Sequence, residues 1–400
     1  MPAYSGRSAS VDSYVLDAVG LAKGLGAVSG GCDLLTPDGL DSPQALTADA
    51  NVPASGSGPG LGGRAVRRLP RPARVFLGDG RMALRARRMR SQAALLNGRR
   101  YDFVIQKHRR FHDAGLRVAR RQGVPFVLKM DALEVREEAS WGVRRPLWGP
   151  AVESIGERRL IAQADLVVPV STALDAQVES LGVPRERRLV LDNGVDLDSF
   201  SPGPGDRDLR AAHDLQRRFV VGWVGGFRPF HGLSLVPDIA RRLRDVVPEA
   251  VLCLVGTGDR YAEVARSVQD LRDVVRLVGP VPYERVPDWI RTFDAAVHLA
   301  EPGPYHYSPL KLYEYMACGR PVIASEVGTV ADTVGGEGAG ILVPSGDARA
   351  VVDAIAQLAA HEPARRRMGE AARLRAERLG GWDARASDLI AALRDRELIA

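Results

Sequence analysis

The 400-residue sequence predicts an α/β protein of two similar domains, each built on a parallel sheet. Three observations predict it. Short apolar runs alternate with segments of helical period along most of the chain, as strand–helix–strand units require. The length exceeds what one hydrophobic core ordinarily serves and suits two. A Pro/Gly-opened stretch, SPGPGDRDLRAAHDLQRR at 201–218, separates one set of strands from the next. These place a first domain at 1–200 and a second at 201–382, with a last helix over 383–400 packing back on the first.

In the first half the strand candidates are CDLLTP, RVFLG, YDFVIQ, PFVLKMD, DLVVPVS and RLVLDNGVD. The second set is FVVGWVGG, AVLCLVGTG, VVRLVGPV, AAVHLAE, PVIASE and GILVPSGD. ASGSGPGLGG (54–63) is low-complexity and reads as a loop. Over 81–97, Met82, Ala86, Met89, Ala93 and Leu96 share one helical stripe, with Arg81, Arg85 and Arg88 elsewhere around the helix. Packing of that stripe on its own domain is the plainer reading, and a membrane-surface helix the other. The N-terminus runs from a loop straight into a helix, MPAYSGRSASVDSYVLDAVGLAKGL, where a parallel-sheet domain should open with a strand. The first strand is therefore missing from the pattern, which would leave its neighbour's ladder unpaired.

A composition of 45% hydrophobic and 26% charged residues is that of a soluble globular protein. No uncharged apolar run approaches the ~18 residues of a membrane span. Asp12 and Asp17 interrupt what would be the apolar core of a signal peptide. Cys32, Cys253 and Cys318 are odd in number, far apart and without metal spacing, so a cytoplasmic protein with buried thiols is expected. The net charge of +6 is uneven: residues 64–121 hold 17 Arg and one Lys against Asp79, Asp102 and Asp113. Such a region could attract an acidic acceptor or an anionic membrane surface, although a chain with 51 Arg and four Lys would show Arg on any solvated surface. No nucleic-acid-binding module accompanies it. Where Arg is the default cation, Lys107, Lys129 and Lys311 hint at a local need for a compact ammonium.

The segment EPGPYHYSPLKLYEYMACGRPVIAS (301–325) carries the chemistry. Ser308 suits an N-cap, Pro309 the first helical position and Gly319 a left-handed helix end, so a helix is expected over 309–318. Lys311 in the first turn opposes the helix dipole unless an anion sits there. A diphosphate held by the amides of Leu310 and Lys311 and by the ammonium would supply it. Glu314, one turn deeper, would repel phosphate but can accept two hydrogen bonds from a vicinal diol. Diphosphate beside a diol is the outline of a nucleotide.

At this point SPLKLYEYMACGRPVIAS resembles the donor-binding motif of the family-4 retaining glycosyltransferases of GT-B fold. DNGVDLDSF (192–200) resembles that family's entry to the interdomain linker, ADLVVPVSTAL the strand before it, and VGWVGGFRPFHGL (221–233) the first strand and glycine loop of its nucleotide domain. AVLCLVGTGD and LVGPVPYERVPDW, with Gly256 and Val281, fall where such proteins shape the nucleotide pocket. The ordered set covers most of the chain.

The resemblance implies two Rossmann-like domains facing across a cleft, and transfer of a sugar from a nucleotide-diphosphate sugar, uridine favoured, to a small-molecule, glycan or lipid-linked acceptor. Glu314 would bind the ribose, while Ser308, Pro309, Leu310 and Lys311 would face the diphosphate. The chain also departs from the pattern. The motif's first Glu, which meets the transferred sugar, falls on His306, and Glu301 in the same loop could substitute. The glycine loop's Arg and Lys fall on Gly226 and His231, with Arg228 between them. Arg228 and Lys311 would restore two positive charges, and His231 would add a third when protonated, a form that phosphate favours.

On the acceptor side, Asp131 stands where the family often places a His near the sugar, with Lys129 two residues before it and Lys107 and His108 after the preceding strand. His108 and His112 read as plain loop residues. The expected catalytic set is thus Asp131, Arg228, His306 and Lys311, acting with retention through front-face attack and without cofactor or metal, since cationic side chains replace the ion. A Gly-x-Gly-x-x-Gly dinucleotide site fails because Tyr261 stands where its third Gly belongs. Two other readings stay open: a catalytically weakened member that binds nucleotide sugar or supports a partner enzyme, and a nucleotide-sugar epimerase.

Overall fold

The structure, a computed structural model, describes residues 13–36, 39–41, 69–303, 307–336 and 338–400. The loop at 54–63 and His306 lie outside them. Helix α1 (Ser13–Val28) opens the described chain, followed by β1 (Leu34–Thr36) and β2 (Gly39–Asp41), which pair only with each other and antiparallel. The CDLLTP run therefore stays out of the parallel sheet.

Helix α2 (Arg71–Gln92) comes next and contains RVFLG, taken above for a strand. The correction has a local cause. Val75, Phe76 and Leu77 are embedded in a long run of Ala, Arg, Met and Leu, good helix formers, with Pro72 in the first turn where its missing N–H costs nothing. A three-residue apolar run does not outweigh that continuity. The stripe of Ala86, Met89, Ala93 and Leu96 faces inward, and Met89, Ala93 and Leu96 pack with Ala114 and Val118.

Three parallel strands then follow in spatial order, β3 (Val104–Lys107), β4 (Phe126–Met130) and β5 (Leu166–Pro169). Helix α3 (Ala114–Gln122) crosses from β3 to β4, and α4 (Glu134–Ser140) follows β4. RLVLDNGVD forms no strand of its own. It runs beside β5 through single bonds from the amides of Leu189 and Leu191 to the carbonyls of Val167 and Pro169, both 3.0 Å.

The larger sheet holds six parallel strands: β6 (Phe219–Val224), β7 (Ala250–Val255), β8 (Val275–Gly279), β9 (Ala295–His298), β10 (Val322–Ser325) and β11 (Gly340–Val343). Its spatial order is β11-β10-β9-β6-β7-β8. Side chains alternate across β6: Val221 and Trp223 join α5 (Val236–Val246) and a later helix on one face, and Val220 and Val224 join the opposite core. The opposite core is filled by α6 (Val286–Thr292), α7 (Leu310–Ala317) and α8 (Glu362–Leu379). With both faces covered, every residue of β6 and β7 is buried, which is why these strands read as continuous apolar runs.

The contacts divide the chain into two compact units. One contains Leu25–Asp192 and Ala386–Ala400, and the other contains Asn193–Arg385 with residues 13–24. Within the second unit α1 lies close against Trp382. A Cβ on Gly20 would stand 2.3 Å from that indole ring, so glycine is required for the approach. In the first unit, Arg396 donates to the carbonyls of Glu186 and Arg188 at 3.0 and 3.3 Å.

Candidate functional site

In the larger sheet the chain runs outward from β6 to β7 and β8, then returns to the other side of β6 with β9, β10 and β11. The order reverses between β6 and β9. The loops leaving their carboxyl ends part there, and open α/β sheets bind ligands in that crevice. The two loops are also in contact: a Cβ on Gly232 would lie 2.7 Å from the Ala300 nitrogen.

Helix α7 points its start at this crevice, because Lys311 reaches the loop after β6 from its first turn. The ammonium sits 4.4 Å from the centroid of the Trp223 ring, and a Cβ on Gly225 would meet its Nζ at 2.9 Å. Lys311 is buried, and its Nζ has no hydrogen-bond partner among the described residues. Loss of solvent pushes its pKa down to about 7, against the upward pull of Glu314. Contact with the indole face offsets only part of the lost hydration. The first helical bond of α7 runs from the Leu312 amide to the Pro309 carbonyl, so the amides of Leu310 and Lys311 precede the ladder. The site thus offers an ammonium and a helix start to an anion.

Glu314 is buried beside it and accepts a hydrogen bond from the Tyr283 hydroxyl at 2.9 Å. Burial pushes its pKa up to about 7, although Tyr283 and Lys311 both favour the carboxylate. Tyr283 comes from the loop after β8, next to Val281, which packs on the same core. Gly256, after β7, has φ +130°, and a Cβ there would sit 2.0 Å from the Gly225 carbonyl oxygen. Only glycine lets these two strand ends approach so closely.

Other expected residues are held differently from the sequence reading. Ser308 does not cap α7: Pro309 occupies the cap position, and no side chain caps the helix. The Ser308 hydroxyl instead shares a 3.0 Å hydrogen bond with Tyr313, while Asn193 donates from Nδ2 to the Ser308 carbonyl at 2.6 Å. Proline at the cap presets the turn, and the buried hydroxyl finds a partner inside the core. In the free chain burial disfavours the charged form of His231. Burial, then Lys311, hold its pKa well below the ordinary value, and its Nδ1–H donates to the Gly226 carbonyl. That bond fixes the tautomer and leaves Nε2 as an acceptor. Arg228 pairs with Asp259 at 2.9 Å, and Glu301 accepts from the Ser234 hydroxyl. Phe230 and Tyr307 stack at 4.7 Å, joining the glycine loop to the loop before α7.

Sequence reasoning missed Trp223, Tyr283 and Asn193. The signal for Trp223 was available, since a large aromatic among Val and Gly in a central strand must fill a deep position.

In the first unit, Lys107 and Lys129 are register neighbours at the ends of β3 and β4. Both reach Asp131, at 2.7 and 4.0 Å from its carboxylate oxygens. His108 lies in the loop after β3, as expected, but is buried, 3.9 Å from Glu157, and burial holds its pKa down at about 4. His112 is pushed down to about 4 by burial and then Arg109. A fully buried Glu157, in a π-helical turn, is driven up to about 8 by desolvation and then Glu134. Around them Arg110 makes a bidentate pair with Glu138 at 2.8 and 2.9 Å, and Arg145 another with Asp79 at 2.9 and 3.0 Å. Among the described residues no group of three or more His, Cys, Asp or Glu could hold a metal ion, and no helix is long and apolar enough to cross a membrane.

Two α/β units, one with an unpaired ammonium and a helix start at its switch point, define a protein suited to hold a phosphate-bearing ligand. Comparison with known proteins narrows the class. The family described as glycosyl transferases group 1 matches residues 218–361, and the glycosyl transferase 4-like domain matches 32–194. D-inositol 3-phosphate glycosyltransferase of Kineococcus radiotolerans is 31% identical over 315 residues, 72% of this chain and 70% of that protein. The enzyme of the same name from Kribbella flavida is 29% identical over 307 residues, 74% of this chain and 71% of the other. Among solved structures, Anabaena HepE in complex with UDP-glucose superposes with a TM-score of 0.65 over 97% of this chain and 98% of that one, at 18% identity. Sucrose-phosphate synthase from Thermosynechococcus elongatus has a TM-score of 0.65 over 78% of each chain, at 25% identity. The chain belongs to the glycosyl transferases group 1 family, has the GT-B fold and is a sugar-transferring enzyme.

Proposed function

We propose that the protein is a retaining, metal-independent glycosyltransferase whose donor is a UDP-sugar bound in the crevice between the β6 and β9 loops. One observation carries the reading: Lys311 is buried without a hydrogen-bond partner among the described residues, beside the free amides that start α7. A buried unpaired ammonium is costly, and a diphosphate would supply the missing anion. HepE was solved with UDP-glucose, which favours uridine as the base. In this reading Glu314 would exchange the Tyr283 hydroxyl for ribose hydroxyls, Gly256 and Val281 would border the base, and Glu301 or His306 would meet the sugar.

The acceptor hydroxyl would attack the anomeric carbon from the face the diphosphate leaves. The new bond joins acceptor oxygen to that carbon, the carbon–phosphate-oxygen bond breaks, and the departing phosphate oxygen takes the acceptor's proton. Lys311 and the amides of Leu310 and Lys311 would stabilise the charge that develops on the leaving group. Lys107, Lys129 and Asp131 would contact the acceptor. The relatives' name, D-inositol 3-phosphate glycosyltransferase, makes a phosphorylated polyol the first acceptor to try.

The test is incubation of the purified chain with UDP-sugars and candidate acceptors, with the product's anomeric configuration read by proton NMR. Retained configuration in the presence of a chelator supports the proposal; inversion, or dependence on added metal, overturns it. A second reading has its own support, because Arg228 pairs with Asp259 and burial disfavours the charged form of His231, which weakens the positive charge offered at the crevice. A protein that binds UDP-sugar tightly, yet neither hydrolyses nor transfers it, would be the weakened member.

A further inference from the structure

Core packing alone does not account for Trp223. It is completely buried, yet its indole N–H finds no acceptor among the described residues. A buried donor left without a partner is costly, and a phenylalanine would fill a strand position without bringing one. What tryptophan adds is the side-chain π-face that attracts a cation most strongly. The Lys311 ammonium lies over that face, 4.4 Å from its centroid.

The backbone makes this contact possible. Trp223 belongs to the core on one face of the large sheet, and α7 packs in the core on the other. Lys311 reaches the ring past Gly225, where a Cβ would stand 2.9 Å from Nζ and 3.4 Å from the indole. A side chain there would close the passage, and the φ of +150° would strain it as well. Phe227 and His231 brace the ring edge-on, at 5.1 and 5.6 Å. Other titratable groups face the ammonium from three elements. Glu314, on its own helix, accepts from Tyr283. His231 follows β6 together with Arg228, which pairs with Asp259, and His298 ends β9. Burial, and then Lys311, disfavour the charged form of both imidazoles. Among the described residues, Glu314 and the indole face are what favour a charged lysine here.

We infer that Trp223 is a positioning residue: its indole face keeps the Lys311 ammonium charged and in place at the crevice before an anion arrives. The inference rests on the donor site proposed above and adds to it the pH range over which that site is ready. Without the face, the free ammonium would give up its proton more easily, while the ammonium–phosphate contact of the complex would stay. UDP affinity would then begin to fall at a lower pH, rather than being reduced at every pH alike.

The chain has only four lysines, so Lys311 can be followed directly. The protein, labelled with carbon-13 at lysine Cε, is titrated by NMR without nucleotide, the Lys311 signal being the one absent from Lys311→Arg. Trp223→Leu should lower its midpoint by about one pH unit, since a desolvated cation–π contact biases the equilibrium on the order of tenfold. Trp223→Phe keeps a smaller ring in the same place and should shift the midpoint the same way by less. UDP affinity of Trp223→Leu should match the parent's at pH 5.5 and be about tenfold weaker at pH 8.5, a comparison in which the titration of the phosphate itself cancels. A midpoint that stays or rises in Trp223→Leu, or in Trp223→Phe should the first variant not fold, overturns the inference. So does an affinity loss equal at the two pH values, which is the mark of a merely structural ring. Lowered midpoints in proteins of which none binds UDP, parent included, would uphold the hold of Trp223 on the ammonium and overturn the donor site instead.

Discussion

At the residue scale, the site trades stability for binding. Lys311 is held near neutrality by burial, and its folded-state pKa of about 7 lies below the 10.5 of a free lysine. Between those values the unfolded chain binds the extra proton, so this residue makes the free protein more stable as pH rises from about 7 toward 10. Diphosphate binding has the opposite sign. A bound anion restores the charged form, so affinity is fully present below about pH 7 and falls as pH rises, about tenfold per unit until the pKa of the complex is reached. Calorimetry at pH 8 in buffers of different ionisation heat should show net proton uptake on UDP binding; proton release would contradict the geometry. Lys311→Met should raise the melting temperature of the free protein by roughly 2–4 °C, since each kcal/mol regained moves a unit of this size by about that much. The same variant should lose UDP binding. A destabilised variant would mean that the ammonium already has its counter-charge.

At the scale of elements, the glycines around the crevice and the ion network of the first unit lead to separate predictions. Gly256→Ala places a methyl group 2.0 Å from the Gly225 carbonyl oxygen at φ +130°. The β6 and β7 loops would have to separate, and we expect the variant to lose more than about 3 kcal/mol in urea unfolding and most of its nucleotide affinity. Asp79→Ala would leave Arg145 without its bidentate partner and Trp148 without an acceptor, at a cost of about 3–5 kcal/mol for a broken buried pair. Its melting curve would settle that, with an unchanged melting temperature counting against the network.

The same scale shows what the sequence could reveal. The second set of strands was legible because β6, β7, β9 and β10 are buried along their whole length, so each reads as a nearly continuous apolar run. The first half was less legible. RVFLG looked like a strand because Val75, Phe76 and Leu77 form a short apolar run, yet helix propensity over the whole of α2 decided the outcome. CDLLTP formed a separate hairpin, since no parallel neighbour claims it among the described residues. Lys311 stood out because a cation in the first turn of a helix needs an anion, and Glu314 because it lies one turn deeper where it can accept from a diol. Tyr283 did not, because its role depends on the loop after β8 being brought to Glu314 by the fold.

At the scale of the whole molecule, each unit has its own sheet and its own core. UDP at a hundredfold excess over its dissociation constant would stabilise the lobe that binds it by about 2.7 kcal/mol. The melting transition of the second unit should then rise by several degrees while that of the first stays in place.

The most direct measurement is a calorimetric titration of UDP into the parent, Lys311→Ala and Glu314→Gln at pH 7. Binding in the parent, a loss of about 30-fold or more without the ammonium, and a loss of about tenfold without the carboxylate are expected, from the worth of hydrogen bonds to charged groups. Equal affinity in all three proteins would show that the nucleotide does not bind at the start of α7, and the proposed donor site would be wrong.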